Sequence, residues 1–376
     1  MDVPYWLEEP AAPLPQGRLD GPADAAVIGG GVTGCSCALA LARAGLRVRL
    51  YDAREIAGGA SGRNGGFALR GGAMPYDRAR EWIGAEEARE YWRWTESYLD
   101  RMAELGGDAF RRTGSLRLAV DEEEREELRA ELDALLEDGF DAEWIDEPGG
   151  SLSGRFTAAI LHPGDAVLQP ARLVRRLARA AADAGAEIRE HSRVESIDEL
   201  DAVSVVVATD GYPSGLLGEL EGLIVPTRAQ MLATEPLPEL LYERPHYGRH
   251  GFDYWHQRQD GSLLAGGFRD VALDSEFTAD EVTTEPVQDA LERFVTDLLG
   301  SRPRITHRWA GIFGLVLDFL PVVGRVPAQE RLWVAGGYSG HGNVLGLACG
   351  ELVAEAILGR PGPQLELFDP ARLVLA

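Results

Sequence analysis

The sequence predicts an α/β domain of the doubly wound kind, assembled from three separated segments, with a β-rich second domain built from the two stretches between them. Three observations carry this. Residues 25–52 read as a buried strand, a tight glycine turn, a helix and a second strand ending at Asp52. The β-α rhythm stops after about residue 80 and returns near 150 and again near 325. Between 224 and 324 apolar and polar residues alternate instead, around an Asp260-Gly261 hairpin turn. The expected boundaries are 1–80, 150–223 and 325–376 for the first domain, and 81–149 with 224–324 for the second.

In chain order, "AAVIGG" is an apolar run short enough for a buried strand, "CSCALALARAG" a helix stopped by Gly45, and "LRVRLYD" an alternating strand. From Pro75 to Leu105 a Trp- and Tyr-rich helical stretch follows, then the strand "GSLRLAV" and the charged amphipathic helix "DEEEREELRAELDALLEDG". This block breaks the β-α alternation and reads as an insertion. The alternation resumes at "QPARLVRRLARAAADAGAEIREHSRV" and at the buried strand "AVSVVVATDG". The alternating segments "VPTRAQMLATE" and "GFDYWHQRQDGSLLAGGF" form an antiparallel sheet, interrupted by a helix at roughly 284–299. The strand "RLWVAGG" and a helix from about Asn343 to Leu358 close the chain.

A formal net charge of −24 argues against polyanionic partners, because nucleic-acid affinity rests on Lys and Arg at phosphates. All 37 basic residues are arginine, so no mechanism in this chain uses a lysine. Cys35, Cys37 and Cys349 form neither a disulfide framework nor a zinc pattern, and the histidines lack ligand spacing; no metal is expected. No apolar run reaches the roughly 18–20 residues of a membrane span, and the N-terminal stretch has no basic n-region. A cytoplasmic location, with no membrane partner, is the expectation.

"GGGVTG" places Gly29, Gly31 and Gly34 between strand and helix. The first permits the tight turn, the second lets backbone approach a pyrophosphate, and the third permits close helix packing. The helix N-terminus then offers N–H donors to phosphate, and Asp52 a carboxylate for ribose hydroxyls. This is a Rossmann-like dinucleotide site, and by itself it does not separate NAD from FAD. The loop Gly58–Phe67, "GGASGRNGGF", follows at once, with five glycines in ten residues: a backbone bare enough to pass close to a flat cofactor.

With "AAVIGGGVTG", "GASGRNGG", "LHPGDAVLQPARLVRRLARAA", "VVVATDGY", "FLPVVG" and "WVAGGYSGHGNVLG" in this order, the chain resembles the D-amino-acid oxidase superfamily of FAD-dependent oxidoreductases over nearly its whole length. "ASGRNGG", "ATDGY" and "GGYSGHG" are most similar to its γ-glutamylputrescine oxidase branch. The resemblance implies FAD, held by Gly29, Gly31, Gly34 and Asp52 at the ADP, and by Ser61, Arg63, Asn64 and Gly65 beside the flavin and pyrophosphate. It further implies Val194 at the adenine, Ala208, Thr209 and Gly211 near the ADP, and Gly337, Gly340, His341, Gly342 and Asn343 under the isoalloxazine. His341 reads equally as a packed histidine or as an electrostatic, catalytic group.

The departures from the family bear on chemistry. Some sarcosine oxidases attach FAD to a cysteine; Gly311 stands there, so noncovalent FAD is expected. The lysine that helps related oxidases react with oxygen is replaced by Leu264. Oxygen and another electron acceptor therefore both stay open. The carboxylate anchors of the amino-acid branches are replaced by Phe313 and Val344, which turns the reading towards an amine without an α-carboxylate, or with a distant one. Arg228 and Arg269 remain as candidate anchors, with a surface salt bridge the more ordinary reading of each.

The expected activity is FAD-dependent amine oxidation. A primary or secondary amine passes hydride from its α-C–H to flavin N5, and the resulting imine hydrolyses. Tyr254 and His256 are expected to line the pocket or deprotonate the substrate, with Arg228, Tyr254 and Phe313 as substrate contacts. Alternatives are a glycine/sarcosine-type amino-acid oxidase, the flavin subunit of a multi-chain dehydrogenase, an NAD-dependent dehydrogenase and a tRNA-modifying oxidase. The split fold argues against NAD, and the charge against tRNA.

Overall fold

The computed structural model describes residues 3–15 and 17–374; of the N-terminal stretch read above, residues 1, 2 and 16 lie outside the described ones. A six-stranded sheet forms the first domain. Its order is Val322–Arg325, Leu332–Gly336, Ala202–Val207, Ala23–Ile28, Val48–Tyr51 and Glu187–Arg189. Every pairing is parallel except the edge pair Val322–Arg325 with Leu332–Gly336. Ala23–Ile28 therefore sits centrally, which explains its near-continuous apolar run: both faces are covered. Helices Val32–Arg43, Pro170–Asp183 and Val344–Ile357 pack together on one face, so Cys35, Cys37 and Cys349 are buried as small apolar groups.

An eight-stranded sheet forms the second domain, in the order Ile305–Leu315, Val225–Pro236, Ser262–Gly267, Asp253–Gln257, His246–Gly248, Ser115–Ala119, Ala158–His162 and Glu143–Asp146. The two inserted segments thus fuse into one sheet, joined by the parallel pairing of His246–Gly248 with Ser115–Ala119. The segment boundaries differ from the sequence reading in two places. Ala158–His162 belongs to this large sheet, because its partners Ser115–Ala119 and Glu143–Asp146 both lie in the insertion. Val322–Arg325 already belongs to the six-stranded sheet.

The long helical stretch after Pro75 is two helices, Tyr76–Ile83 and Ala85–Gly106, broken where Gly84 takes φ 94°. The charged helix Glu122–Glu137 starts where Asp121 accepts the Glu124 N–H through its side chain at 2.9 Å. A small third sheet, Phe67–Ala68, Ala166–Leu168 and Phe110–Arg112, was not foreseen; its strands are two or three residues long and carry no periodicity. No helix among the described residues is long and apolar enough to cross a membrane.

Candidate active site

The central strand ends at Ile28, and Gly29 at φ 112° turns the chain into the helix that begins at Val32. A Cβ on Gly34 would lie 1.8 Å from the Gly29 carbonyl oxygen, so the helix packs onto the turn only with hydrogen there. At its N-terminus the Val32 N–H donates to Ser61 Oγ at 3.0 Å, and the Ser61 hydroxyl proton has no acceptor among the described residues. Asp52 accepts the Gly30 N–H and the Arg54 N–H, each at 2.6 Å, which fixes its carboxylate at the mouth of the turn. A cavity of about 230 Å³ opens here, walled by Gly29, Gly31, Asp52, Ser61, Asn64, Val194, Ala208, Thr209, Gly340, Gly342 and Asn343. Eleven of the residues expected at the cofactor thus meet in one wall, from four separated parts of the chain.

Gly34, Gly211 and Gly337 lie outside that wall. Gly211 packs under the strand Ile305–Leu315, where a Cβ would come 2.4 Å from the Phe313 backbone, and Gly337 abuts Val316. They shape the site through close approach rather than contact with a ligand. Asp210, which the sequence showed only as a strand end, joins three elements: its Oδ2 accepts the Gly314 N–H at 3.0 Å and its Oδ1 the Gly337 N–H at 2.8 Å. Burial raises its pKa, and these N–H groups oppose that rise.

The loop Gly58–Phe67 is fastened on every side. Asn64 and Asn343, 279 residues apart, exchange amide hydrogen bonds of 3.1 and 3.0 Å. Asn343 also donates to the Phe67 carbonyl at 2.7 Å, and Asn64 Oδ1 accepts the Gly66 N–H at 2.8 Å. Trp6, buried in the N-terminal segment, donates its indole N–H to the Asn64 carbonyl at 2.7 Å. Arg63 donates to the Gly58 carbonyl at 2.9 Å and to Ala310 at 3.3 Å, with Glu281 3.5 Å away. It does not wall the first cavity.

A second cavity of about 250 Å³ continues from the first, sharing Ala60, Asn64, Phe313, Gly340 and Asn343 with it. Its walls include Arg63, Gly65, Phe67, Met231, Tyr254, Arg269, Ile312, His341 and Val344, and no carboxylate. The Tyr254 ring fills a slot made by two glycines: a Cβ on Gly266 would meet it at 2.3 Å, and one on Gly65 at 3.3 Å. Burial pushes the Tyr254 phenol up to about 12. Burial also pushes His341 down to about 4; its Nδ1 is buried and has no hydrogen-bond partner among the described residues. Both groups are therefore neutral near pH 7.

Two expected site residues are corrected. His256 shares a strand face with Tyr254 but lies in the interior, stacked on Trp6 at 6.0 Å and edge-on to Phe67, outside the cavity wall. Burial pushes it down to about 3, and neither ring nitrogen has a hydrogen-bond partner among the described residues. Arg228 is buried and committed to Glu276 at 2.7 and 2.8 Å, so it does not reach the cavity. Leu264 is likewise core, not wall.

A glycine turn and strand-end carboxylate at one end of a cleft, and an apolar chamber against a second sheet at the other, define a two-domain dinucleotide-dependent oxidoreductase. The chain belongs to the FAD dependent oxidoreductase (DAO) family, whose model matches residues 24–356. It is 30% identical to the probable oxidoreductase OrdL of Rhizobium meliloti, over 97% of this chain and 89% of that protein. It is 29% identical to the γ-glutamylputrescine oxidoreductase of Escherichia coli, over 92% and 85%. In fold it is similar to glycine oxidase from Geobacillus kaustophilus (TM-score 0.73, 23% identity, covering 92% of this chain and 98% of that one) and to L-proline dehydrogenase from P. horikoshii (0.77, 22%, 95% and 99%).

The residues present fit FAD. The bare turn, the helix N-terminus with the Ser61 hydroxyl, and Asp52 suit the ADP half. The joined cavities offer the further length that a flavin needs, ending against the neutral His341 and the N-terminus of helix Val344–Ile357.

Proposed function

We propose that this FAD-dependent oxidoreductase acts on an amine, oxidising the C–H bond beside nitrogen, with FAD held noncovalently. One observation carries the reading: the second cavity has no carboxylate in its wall, while Arg269 stands in it. An ammonium ion entering there would lose its hydration without gaining an anion, so the substrate is bound as the neutral amine. That is the form whose nitrogen lone pair drives hydride loss from the adjacent carbon. FAD, when bound, accepts that hydride.

The chain's own residues bind and orient. Tyr254, locked between Gly65 and Gly266, presents a rigid, protonated phenol to the chamber. Met231, Ile312 and Phe313 exclude water around the substrate carbon. Asn64, Asn343 and Ser61 hold the cofactor loop against the helix N-terminus. Noncovalent attachment agrees with the three cysteines, which are buried away from both cavities. The names of the relatives place amines and amino acids among the substrates of this family, and the present chain is assigned to the same class.

The test is anaerobic reduction of the purified yellow protein by a panel of polyamines, acylated polyamines and amino acids. Bleaching by at least one amine is expected, as is release of free FAD on acid precipitation. A protein that no amine bleaches, or that keeps its flavin on the precipitated chain, would overturn the corresponding half of the proposal.

A further inference from the structure

Between helix Leu273–Glu276 and helix Glu285–Leu299, residues 277–284 run over the surface without regular structure. Phe277, Ala279, Asp280, Val282 and Thr283 are exposed, so little of this segment is packed. Two residues of strand Val225–Pro236 hold its ends instead. Arg228 grips the Glu276 carboxylate and donates to the Asp280 carbonyl at 3.3 Å. Gln230 donates to the Thr284 hydroxyl and accepts the Thr284 N–H, each at 2.8 Å. Arg228, which reaches neither cavity, thus ties down a strap.

Glu281, in the middle of that strap, is turned towards the first domain, its side chain only 15% exposed. Both its oxygens accept from Arg54 Nη1, at 2.9 and 2.7 Å. Its Oε1 also accepts the Tyr212 hydroxyl proton, and Arg63 Nε lies 3.5 Å away. Arg54 and Tyr212 are walls of the first cavity, whereas Glu281 stands behind them. The Arg54 guanidinium lies 5.0 Å from the Tyr212 ring centroid, and that ring rests against Gly59, where a Cβ would come within 3.2 Å of it. Sheet order gives this stack its direction. Arg54 follows strand Val48–Tyr51 and Tyr212 follows strand Ala202–Val207, the two neighbours of the central strand Ala23–Ile28. The pair therefore spans the end of the central strand, where the glycine turn lies. One carboxylate of the second domain pins it there through charge-assisted hydrogen bonds.

We infer that Glu281 is a positioning residue for the cofactor: a latch that holds Arg54 and Tyr212 as a door over the first cavity, through which FAD enters and leaves. The inference rests on the noncovalent attachment proposed above. With Glu281 in place, the stacked pair bars the path. With Glu281 withdrawn, Arg54 becomes a mobile, hydrated side chain and the pair parts. The strap permits that withdrawal, because lifting it breaks the contacts of one side chain and disturbs no core packing. A door obstructs both directions, so its latch slows entry and exit alike.

The experiment compares wild type, E281Q and Y212F by two rates. Apoprotein is mixed with FAD for association and holoprotein is diluted for release, each followed by flavin fluorescence. In E281Q both rates should rise about tenfold, as for loss of a charged hydrogen bond discounted for the partly exposed Arg54. The affinity, being their quotient, should change little. Y212F loses one bond and keeps the charge, so it should raise both rates by less. A purely structural role would lower the thermal midpoint and leave both rates unchanged, which overturns the inference. Faster release with unchanged or slower association also overturns it, because Glu281 would then support binding contacts without gating them. If E281Q does not fold, Y212F decides by the same pair of rates. Flavin that stays on the acid-precipitated chain removes noncovalent attachment and the latch together. FAD set free by acid, with rates unchanged in both variants, removes the latch alone.

Discussion

The Asn64–Asn343 pair can be weighed by a double-mutant cycle in the FAD-free protein. Asn64→Ala deletes both amide bonds to Asn343 and the bond from the Gly66 N–H, together with the donations to the Ala60 and Ser61 carbonyls at 3.2 Å each. At roughly 1 kcal/mol net for each neutral bond, with the two weak donations sharing hydrogens, the loss is about 2–4 kcal/mol. Asn343→Ala loses the two shared bonds and that to Phe67, about 2–3 kcal/mol on the same scale. The double variant counts the shared bonds once, so it should be about 1–3 kcal/mol more stable than additivity allows. Urea denaturation of the four apoproteins measures this directly. Additivity within about 0.5 kcal/mol would show that the two amides do not hold each other, and that their arrangement depends on the cofactor.

Arg228→Ala leaves Glu276 buried without its cation and should cost about 3–5 kcal/mol in urea unfolding, whereas a substrate contact on the surface of a cavity would cost little stability. Burial holds His162, His246 and His256 at about 3 and His341 at about 4, against an ordinary 6.5. The unfolded chain therefore takes up protons that the folded one does not, so this stability is complete above pH 6.5 and is lost as pH falls towards 4. Asp165, raised by burial to about 6 from 3.8, opposes this by losing stability as pH rises through 6, and burial raises Asp210 and Asp253 in the same direction, but these are three carboxyls against four imidazoles. The thermal midpoint should drop between pH 6.5 and 4; a flat or rising midpoint would contradict the burial of these imidazoles. If the amine is bound neutral, the rate of anaerobic bleaching at subsaturating substrate should rise about tenfold per unit above pH 8, until it levels near the solution pKa of that amine, about 10 for a simple alkylamine. A profile that is the same for two amines of different pKa would assign the limiting proton to the protein instead.

The cofactor end of the site was legible in the sequence because its parts are local. A glycine turn, the helix after it and an acid at the next strand end lie within one β-α-β unit, and their spacing is set by element lengths. The substrate end was legible only in part: Tyr254, Arg269, Phe313 and Val344, named from the sequence, line the second cavity, while Arg228 and His256 do not, for two physical reasons. Its pairings are distant: nothing in the neighbourhood of Arg228 marks Glu276, 48 residues on, as its partner, and nothing near Asn64 marks Asn343. Strand alternation also fixes a face and not a depth, so Tyr254 and His256 share a face while only Tyr254 reaches the cavity. The sequence offered Arg228 and Arg269 alike as anchors; separating them would have required knowing that Phe268 leaves the β region, at φ 58°, a step that a phenylalanine does not announce. Trp6 lay in a proline-rich stretch without periodicity, where burial comes entirely from tertiary packing.

The glycine-rich loop joins these two ends. Asn64 binds it to the N-terminus of helix Val344–Ile357, Trp6 to the N-terminal segment, and Gly65 lies under the Tyr254 ring of the large sheet. Arg63 reaches across to the Ala310 carbonyl, and Trp309 of the same strand returns a bond to the Arg63 carbonyl at 2.8 Å. The strand that carries Phe313 is thereby registered against the backbone that passes the cofactor. Ala60 and Asn64 line both cavities, Gly59 and Ser61 only the first, and Arg63, Gly65 and Phe67 only the second, so a change at Asn64 should alter cofactor retention and the shape of the substrate chamber together. The bare backbone has a double use: it lets the chain approach a flat cofactor on one side and lets an aromatic ring lie flat on the other. A side chain at Gly65 would push Tyr254 from its slot, so the loop's composition is fixed as firmly by the second domain as by the first.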